Sequence, residues 1–471
     1  MKPGLLLALV LLSLSGLATE PSPVLPKVQV SPDRTGFETN GAPVVLMGVN
    51  YFRPGTGWAP QVWKQFDPEA TRRDFARLKA IGGNCVRVFL TYGSFMAEPG
   101  VVSEAALAKL DRFLDLAEEA GIYVHPTGPD HWEGLPAWAQ TDRLADETVL
   151  QALERFWATV AARYRGRNTL FAWDLLNEPM VGWDTPAMRA KWQDWLRDRY
   201  KALPALAKAW SVPEDLLEFG SIPVPPKNEP PGPRLLDYQH FRESIAVEWT
   251  RRQAAAIKSA DPTALVTIGL IQWSVPAHPG PPSQYAAFRP AQLAPMLDFM
   301  EVHFYPLARG FYEYGGDEDE GRNLAYLESV VREVAACAKP VLLAEFGWYG
   351  GGKLTLDGGR HPAATEAQQA RWCRRVIETT EGYCRGWLNW GMYDHPQAGD
   401  VTQLLGLFTV DGRTKEWGRT FAELARRGRA EGLSGPPQWE RPPLDWDGCI
   451  QDRAAIEAWQ EAYFQAWTTA H

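Results

Sequence analysis

Leu170-Phe171-Ala172-Trp173-Asp174-Leu175-Leu176-Asn177-Glu178-Pro179 is an apolar run that ends in an amide, a carboxylate and a proline. Its length and composition suit a buried strand, and the proline stops it. A second run ends in the same manner: Val341-Leu342-Leu343-Ala344-Glu345-Phe346-Gly347-Trp348. Working outward, six more short apolar runs cover 44–50, 84–90, 122–126, 265–271, 299–304 and 386–390. Amphipathic stretches that predict helices lie between most of them, over 69–80, 103–120, 148–164, 236–260, 323–337 and 365–379, with a closing helix at 415–427. Strands alternating with helices read as parallel βα units. Eight of them predict an α/β fold, a closed (β/α)8 TIM barrel, rather than an open sheet.

The pattern has one enlargement and one extension. After the fourth strand, an insert over about 183–235 holds helical stretches at 187–200 and 203–210 and a proline-rich loop at 223–233. Residues 430–471 hold a proline-rich connection and a helix over 452–466; this tail is too short for a domain and is expected to pack on the barrel. The catalytic unit is thus 19–429. Residues 1–18 read as a signal peptide, with Lys2, an apolar stretch from Leu5 to Leu14 and small residues at Gly16 and Ala18. A secreted or periplasmic protein with no membrane span in its mature form is expected, and no Cys follows the stretch to carry a lipid.

Composition excludes some functions. The net charge of −9 argues against nucleic acid as a partner. The five cysteines, Cys85, Cys337, Cys373, Cys384 and Cys449, form no CxxC pair; one disulfide is possible, but its pairing is not readable. No zinc spacing or phosphate loop occurs, so no metal or cofactor is expected. Trp is unusually abundant, 21 against 19 Phe and 15 Tyr. Indoles stack on sugar faces and also fill cores, and composition alone does not choose. The run Asp317-Glu318-Asp319-Glu320 reads as a solvated loop tip.

Barrel enzymes carry their chemistry at the C-terminal ends of the strands. Glu178 and Glu345 stand there, on strands four and seven, facing one another across the mouth. Hydrolysis of a glycoside needs such a pair, one carboxyl to protonate the leaving oxygen and one to attack the anomeric carbon or activate water. A retaining enzyme holds them about 5–5.5 Å apart.

With these motifs in place the chain resembles glycoside hydrolase family 5, the cellulase and mannanase family of the retaining barrel glycosidases. Asn177-Glu178-Pro179 and Glu345-Phe346-Gly347 carry the likeness, joined by Arg87 on strand two, His303-Phe304-Tyr305 on strand six and Trp390 on strand eight. The resemblance implies that Glu178 is the acid/base and Glu345 the nucleophile. It further implies that Arg87 and Tyr305 contact Glu345, that Asn177 bonds a sugar 2-hydroxyl, that His303 borders the reacting sugar and that Trp390 floors its subsite. Glu178 is then expected to be raised in pKa by burial and nearby negative charge, while Arg87 and Tyr305 keep Glu345 ionised.

The third strand departs from the family pattern. Its segment reads Val124-His125-Pro126-Thr127-Gly128-Pro129-Asp130-His131-Trp132, and either His125 or His131 suits the family's histidine there. The insert, with Trp195 and Trp210, also resembles the family 42 β-galactosidases of the same clan. Trp58, Trp63, Trp132, Trp273, Trp348, Tyr349 and Tyr393 follow strand ends and are candidates for a sugar-stacking rim. Asp394, His395 and Asp400 fall in the last loop and are of a type to hydrogen-bond sugar hydroxyls, but the loop reads as solvated. Three functions follow: an endo-β-1,4-mannanase or β-1,4-glucanase in an open cleft, an exo-acting β-galactosidase or β-mannosidase with one end closed, or a carbohydrate-binding protein without catalysis. All three take an oligo- or polysaccharide as partner; the oligomeric state is unknown.

Overall fold

The computed structural model describes residues 24–56, 61–278 and 280–471. Eight parallel strands close into a barrel: β1 Leu46–Asn50, β2 Cys85–Thr91, β3 Tyr123–Asp130, β4 Trp173–Asn177, β5 Val266–Leu270, β6 Met300–His303, β7 Val341–Phe346 and β8 Cys384–Asn389. Closure is made by β8 on β1, where Gly386 to Asn389 run beside Leu46 to Val49. Nearly every strand residue is buried, since helices cover the outside and side chains fill the inside. Gly48 marks a tight point: a Cβ there would lie 1.8 Å from the carbonyl oxygen of Cys85, so only glycine lets β1 and β2 pair.

The helices start where polar side chains satisfy their first amides. Asp67, Ser103 and Asp146 cap Pro68–Ala80, Glu104–Ala120 and Glu147–Arg163. The acidic run corrects its sequence reading: Asp317 to Glu320 form the first turn of helix Asp317–Ala335. Carboxylates suit that end, where unpaired amides point outward, and buried Glu320 is bound by Arg371 and Arg375.

A three-stranded sheet of Val28–Val30, Phe37–Thr39 and Ala42–Val44 precedes β1. The sequence reading had merged its last residue into the first barrel strand. The sheet seals the N-terminal end of the barrel: Phe37 meets Phe171 and Phe299 edge-on, each at 5.2 Å between ring centroids.

The insert forms helices Pro186–Tyr200 and Leu203–Trp210, and the chain returns along helix Pro233–Ala260. Its indoles pack on one another, Trp192 stacking on Trp195 at 5.4 Å and on Trp210 at 6.2 Å. Between β5 and β6 the described residues make short helical turns, including Pro290–Leu293 and Ala294–Met296. Helix Arg453–Ala470 of the tail lies on helix Asp317–Ala335, with Arg322 3.9 Å above the Phe464 ring. Arg441 in the tail donates to buried Glu328 at 2.7 Å.

All five cysteines are free. Among the described residues no helix is long and apolar enough to cross a membrane. The expected signal peptide, 1–18, and Trp58 lie outside the described residues.

Candidate active site

Glu178 closes β4 with φ at +46°, a left-handed conformation that a non-glycine residue adopts at a cost. Its amide donates to the carbonyl of Gly269 on β5 at 2.9 Å, which ties the turn to the neighbouring strand. Glu345 is placed by the interior of β7 and is 4% exposed at its side chain, against 25% for Glu178. An oxygen of each carboxyl and a ring nitrogen of His303 all lie within 4.8 Å of one another. That spacing suits a nucleophile and an acid flanking one bond; the inverting arrangement, about 6.5–9.5 Å, leaves room for a water between them.

Both oxygens of Glu345 are held. Arg87 Nη1 donates to Oε1 at 2.7 Å, and the Tyr305 hydroxyl donates to Oε2 at 3.1 Å. Arg87 is fully buried, and its remaining donors reach Asn50 at 2.9 Å, Asp174 at 2.6 Å and Asn177 at 2.8 Å. Asn177 accepts through its oxygen, which leaves its NH2 free to donate. Room for the guanidinium comes from Gly269, where a Cβ would stand 3.0 Å from Arg87 Nη2 and from Asp174.

His303 Nδ1 lies 3.1 Å from Glu178 and 3.5 Å from Glu345, and its Nε2 lies 3.4 Å from Glu301. Beside them, Trp390 donates to Thr402 at 3.0 Å and packs with Phe52, Phe89 and Trp132 at 5.2, 5.8 and 6.4 Å.

The electrostatics differ from the expectation for Glu345. Burial pushes its carboxyl up to about 7; the charges of His303 and Arg87 pull it down, and Glu178 adds to the rise. Desolvation therefore outweighs the guanidinium, which the sequence reading had taken to dominate. Burial also opposes a charged His303, but the Glu345 charge and the bonds to Glu178 and Glu301 prevail over it and over Arg87, and raise the ring to about 9.

Several candidates stand elsewhere. Strand β3 runs on to Asp130, so His125 lies inside the barrel beside Arg87 rather than at its mouth. It is fully buried, with Nε2 2.8 Å from Glu301 and Nδ1 3.0 Å from the Ala172 carbonyl, and offers no face to a sugar. His131 is on the rim, 48% exposed, paired with Asp130 at 2.9 Å and stacked on Trp132. Trp348 is 2% exposed and donates to the Tyr312 carbonyl at 2.8 Å; it is a packing residue, not a sugar platform. Trp63, Tyr349 and Tyr393 are buried as well, whereas Trp273 is half-buried, its indole N–H on the Met180 sulfur at 3.4 Å. Asp394, read as part of a solvated loop, is instead buried against Lys415 at 2.8 Å, and His395 is buried beside it in the chain. The loop folds inward because Asp394 also accepts from the Gly406 amide.

The sequence reading missed Asn50, Asp174, Gln272 and Glu301. Gln272 clamps Tyr305, accepting from its amide at 2.6 Å and donating to its carbonyl at 3.0 Å. Asp174 and Glu301 had a signal, a carboxylate inside an apolar strand, which survives burial only with partners. Among the described residues two clusters, His125 with Asp174 and Glu301, and Glu178 with His303 and Glu345, have donor atoms spaced closely enough for a metal. In both, the Arg87 guanidinium already supplies the positive charge, bonding Asp174 and Glu345 directly.

The family described as cellulase (glycosyl hydrolase family 5) matches residues 37–395. Over 98 residues the chain is 32% identical to the probable beta-galactosidase A of Aspergillus phoenicis and 33% identical to beta-galactosidase A of Aspergillus oryzae. Each match covers 19% of this chain, and the chain spans only 10% of the length of these curated relatives. Similar solved structures include a GH5_18 protein from Streptomyces cattleya in complex with Manb1-4GlcNAc, at 21% identity and a TM-score of 0.62, covering 90% of this chain and 92% of that one. An exo-beta-1,4-mannosidase from Opitutaceae bacterium strain TAV5 gives 21% identity and a TM-score of 0.61, covering 86% of this chain and 63% of that one. The beta-galactosidase from Marinomonas ef1 gives 17% identity and a TM-score of 0.65, covering 88% and 65%. With its family match running from the N-terminal sheet to the loop after β8, the chain belongs to the cellulase family, glycosyl hydrolase family 5.

Proposed function

We propose that the protein is a retaining β-glycoside hydrolase in which Glu345 is the nucleophile and Glu178 the acid/base. The observation that carries this reading is the pair of carboxyl groups with oxygens within 4.8 Å of one another, one held at both oxygens and the other partly exposed. Glu345 attacks the anomeric carbon while the bond to the leaving oxygen breaks and Glu178 hands that oxygen a proton. Water then displaces Glu345, and Glu178 takes the water's proton. Asn177 offers its NH2 to the 2-hydroxyl, and Trp390 lies beneath the sugar.

For the mode of cleavage, exo action on a terminal β-mannosyl or β-galactosyl residue is favoured. An endo enzyme needs an open groove with stacking surfaces on both sides of the scissile bond. Here Trp63, Trp348 and Tyr349 are buried in the core, which removes three of the candidate stacking surfaces. The names of the similar structures, a mannosidase and a galactosidase among them, support the same reading. Endo-β-1,4-mannanase or glucanase action is the second reading, supported by the family. Export is a further part of the proposal and rests on residues 1–18.

The test uses aryl β-glycosides and β-linked mannan, glucan and galactan, with products sized. Monosaccharide release from the first turnover supports exo action; oligosaccharides of mixed length support endo action. Glu345→Ala is expected to lose at least about 10⁴-fold in turnover while folding normally. Azide should rescue Glu178→Ala to the β-glycosyl azide and Glu345→Ala to the inverted azide. Full activity in Glu345→Ala would remove the proposal.

A further inference from the structure

We infer that Glu301 is a positioning residue: from inside the barrel it fixes the nitrogen at which His303 keeps its proton, and so makes the other nitrogen the resting place for the acid/base proton of Glu178. This deepens the glycosidase reading and rests on it.

Strand alternation puts residues 301, 303 and 305 on one face of the β6 segment, pointing to the barrel axis. The His303 ring is flanked by carboxylates at both nitrogens, Glu301 at Nε2 and Glu178 at Nδ1 with Glu345 behind it. An ionised carboxylate only accepts. The ring is therefore either a cation that donates at both ends, or neutral and facing a protonated Glu178.

Glu301 is not the partner that carries the proton. Its two oxygens face nitrogens of three groups: Arg87 Nε at 3.3 Å, His125 Nε2 at 2.8 Å and His303 Nε2 at 3.4 Å. Burial raises its pKa, but the charge and bond of His125, the bond of His303 and the Arg87 charge outweigh this and hold it well below the usual carboxylate range. The other titratable neighbours are Asp174, which Arg87 binds, and the buried Cys85 thiol, which burial keeps protonated. His303 Nε2 keeps its hydrogen toward Glu301, and Nδ1 is the exchangeable position.

The transfer balances. As sugar covers the site, the Nδ1–H bond breaks and an Oε1–H bond forms on Glu178 across 3.1 Å. The electron pair stays on Nδ1 and leaves a neutral ring with Nε2–H on Glu301. Glu178 passes the proton to the leaving oxygen, regains one from water, and returns it to Nδ1 once product departs.

The intact protein, labelled with ¹⁵N-histidine, is titrated by NMR. His303 is expected as the doubly protonated ring at neutral pH, losing its proton near pH 9 from Nδ1 and keeping Nε2–H. A ring that titrates at or below its ordinary 6.5, or whose neutral form carries the proton on Nδ1, would overturn the inference. Glu301→Gln should lower that titration by at least about 1 pH unit and move the alkaline limb of kcat/KM with it. It should also lose about 100-fold on a phenyl β-glycoside, whose leaving group needs the proton, and at least about tenfold less on the 2,4-dinitrophenyl analogue, which does not. Equal losses on both would mark a merely structural role and sink the idea. Should Glu301→Gln fail to fold, the wild-type titration still decides. If wild-type protein hydrolyses neither substrate, the glycosidase reading fails, and the NMR result separates that failure from this one.

Discussion

The two ends of the same barrel are built from opposite materials. At the N-terminal end Phe37, Phe171, Phe299, Leu342 and Leu388 form an apolar plug. A few residues further along the same strands, Asp174, Glu301, His303 and Glu345 converge on Arg87. Burying apolar area stabilises the first region by about 25 cal/mol per Å². Burying five ionisable groups in the second costs free energy that their pairing offsets only in part. The plug packs the strands from which the charged cluster projects, and so holds that cluster pre-arranged. Substitutions in the plug should therefore act on stability with little effect on turnover, whereas those in the charged cluster should act chiefly on turnover.

The loss of at least about 10⁴-fold in turnover for Glu345→Ala, with normal folding, is the largest effect that would sharpen this contrast. Its mirror is Phe171→Ala in the plug, expected to lower unfolding stability by about 3–5 kcal/mol while kcat at 25 °C stays within about twofold. A large kcat loss there, measured below the melting transition, would show that the two ends are not separable.

The pH dependence of stability isolates the charged end. Glu345 has its folded pKa raised from 4.5 to about 7, so its contribution is present below 4.5 and is lost as pH rises through 7. His303 is raised from 6.5 to about 9, so its contribution is present below 6.5 and is lost as pH rises through 9. Both terms fall in the same direction, and Tm should decline from pH 5 to 9. Glu345→Gln should flatten the part between pH 5 and 7, and a profile unchanged by that substitution would contradict the raised carboxyl.

Tyr305→Phe removes one donor to Glu345, and its expected stability change is about 0.5–1.5 kcal/mol, read by denaturant titration alongside a fall in kcat. The smallest effect concerns neither end. Ser103→Ala deletes a helix cap on the outer layer and should cost about 1 kcal/mol with no kinetic consequence.

Eight strands and both glutamates were legible along the chain because each leaves a local trace. A buried parallel strand needs an unbroken apolar run, and two carboxylates directly after such runs, with aromatic neighbours, stand out at a barrel rim where one alone would not. Arg87, Tyr305 and Trp390 were legible through the family motifs they sit in. What tertiary structure alone decided is which groups share the interior. His125 and His131 look equally suitable in sequence, yet β3 extends further than its apolar run, so one is sealed beside Arg87 and the other left on the rim. Trp348 follows a strand end like a sugar platform, but the loop turns its indole into the core. The rise of Glu345 depends on how completely water is excluded around it. That quantity is set by residues that several strands bring together, and no local stretch of sequence contains it.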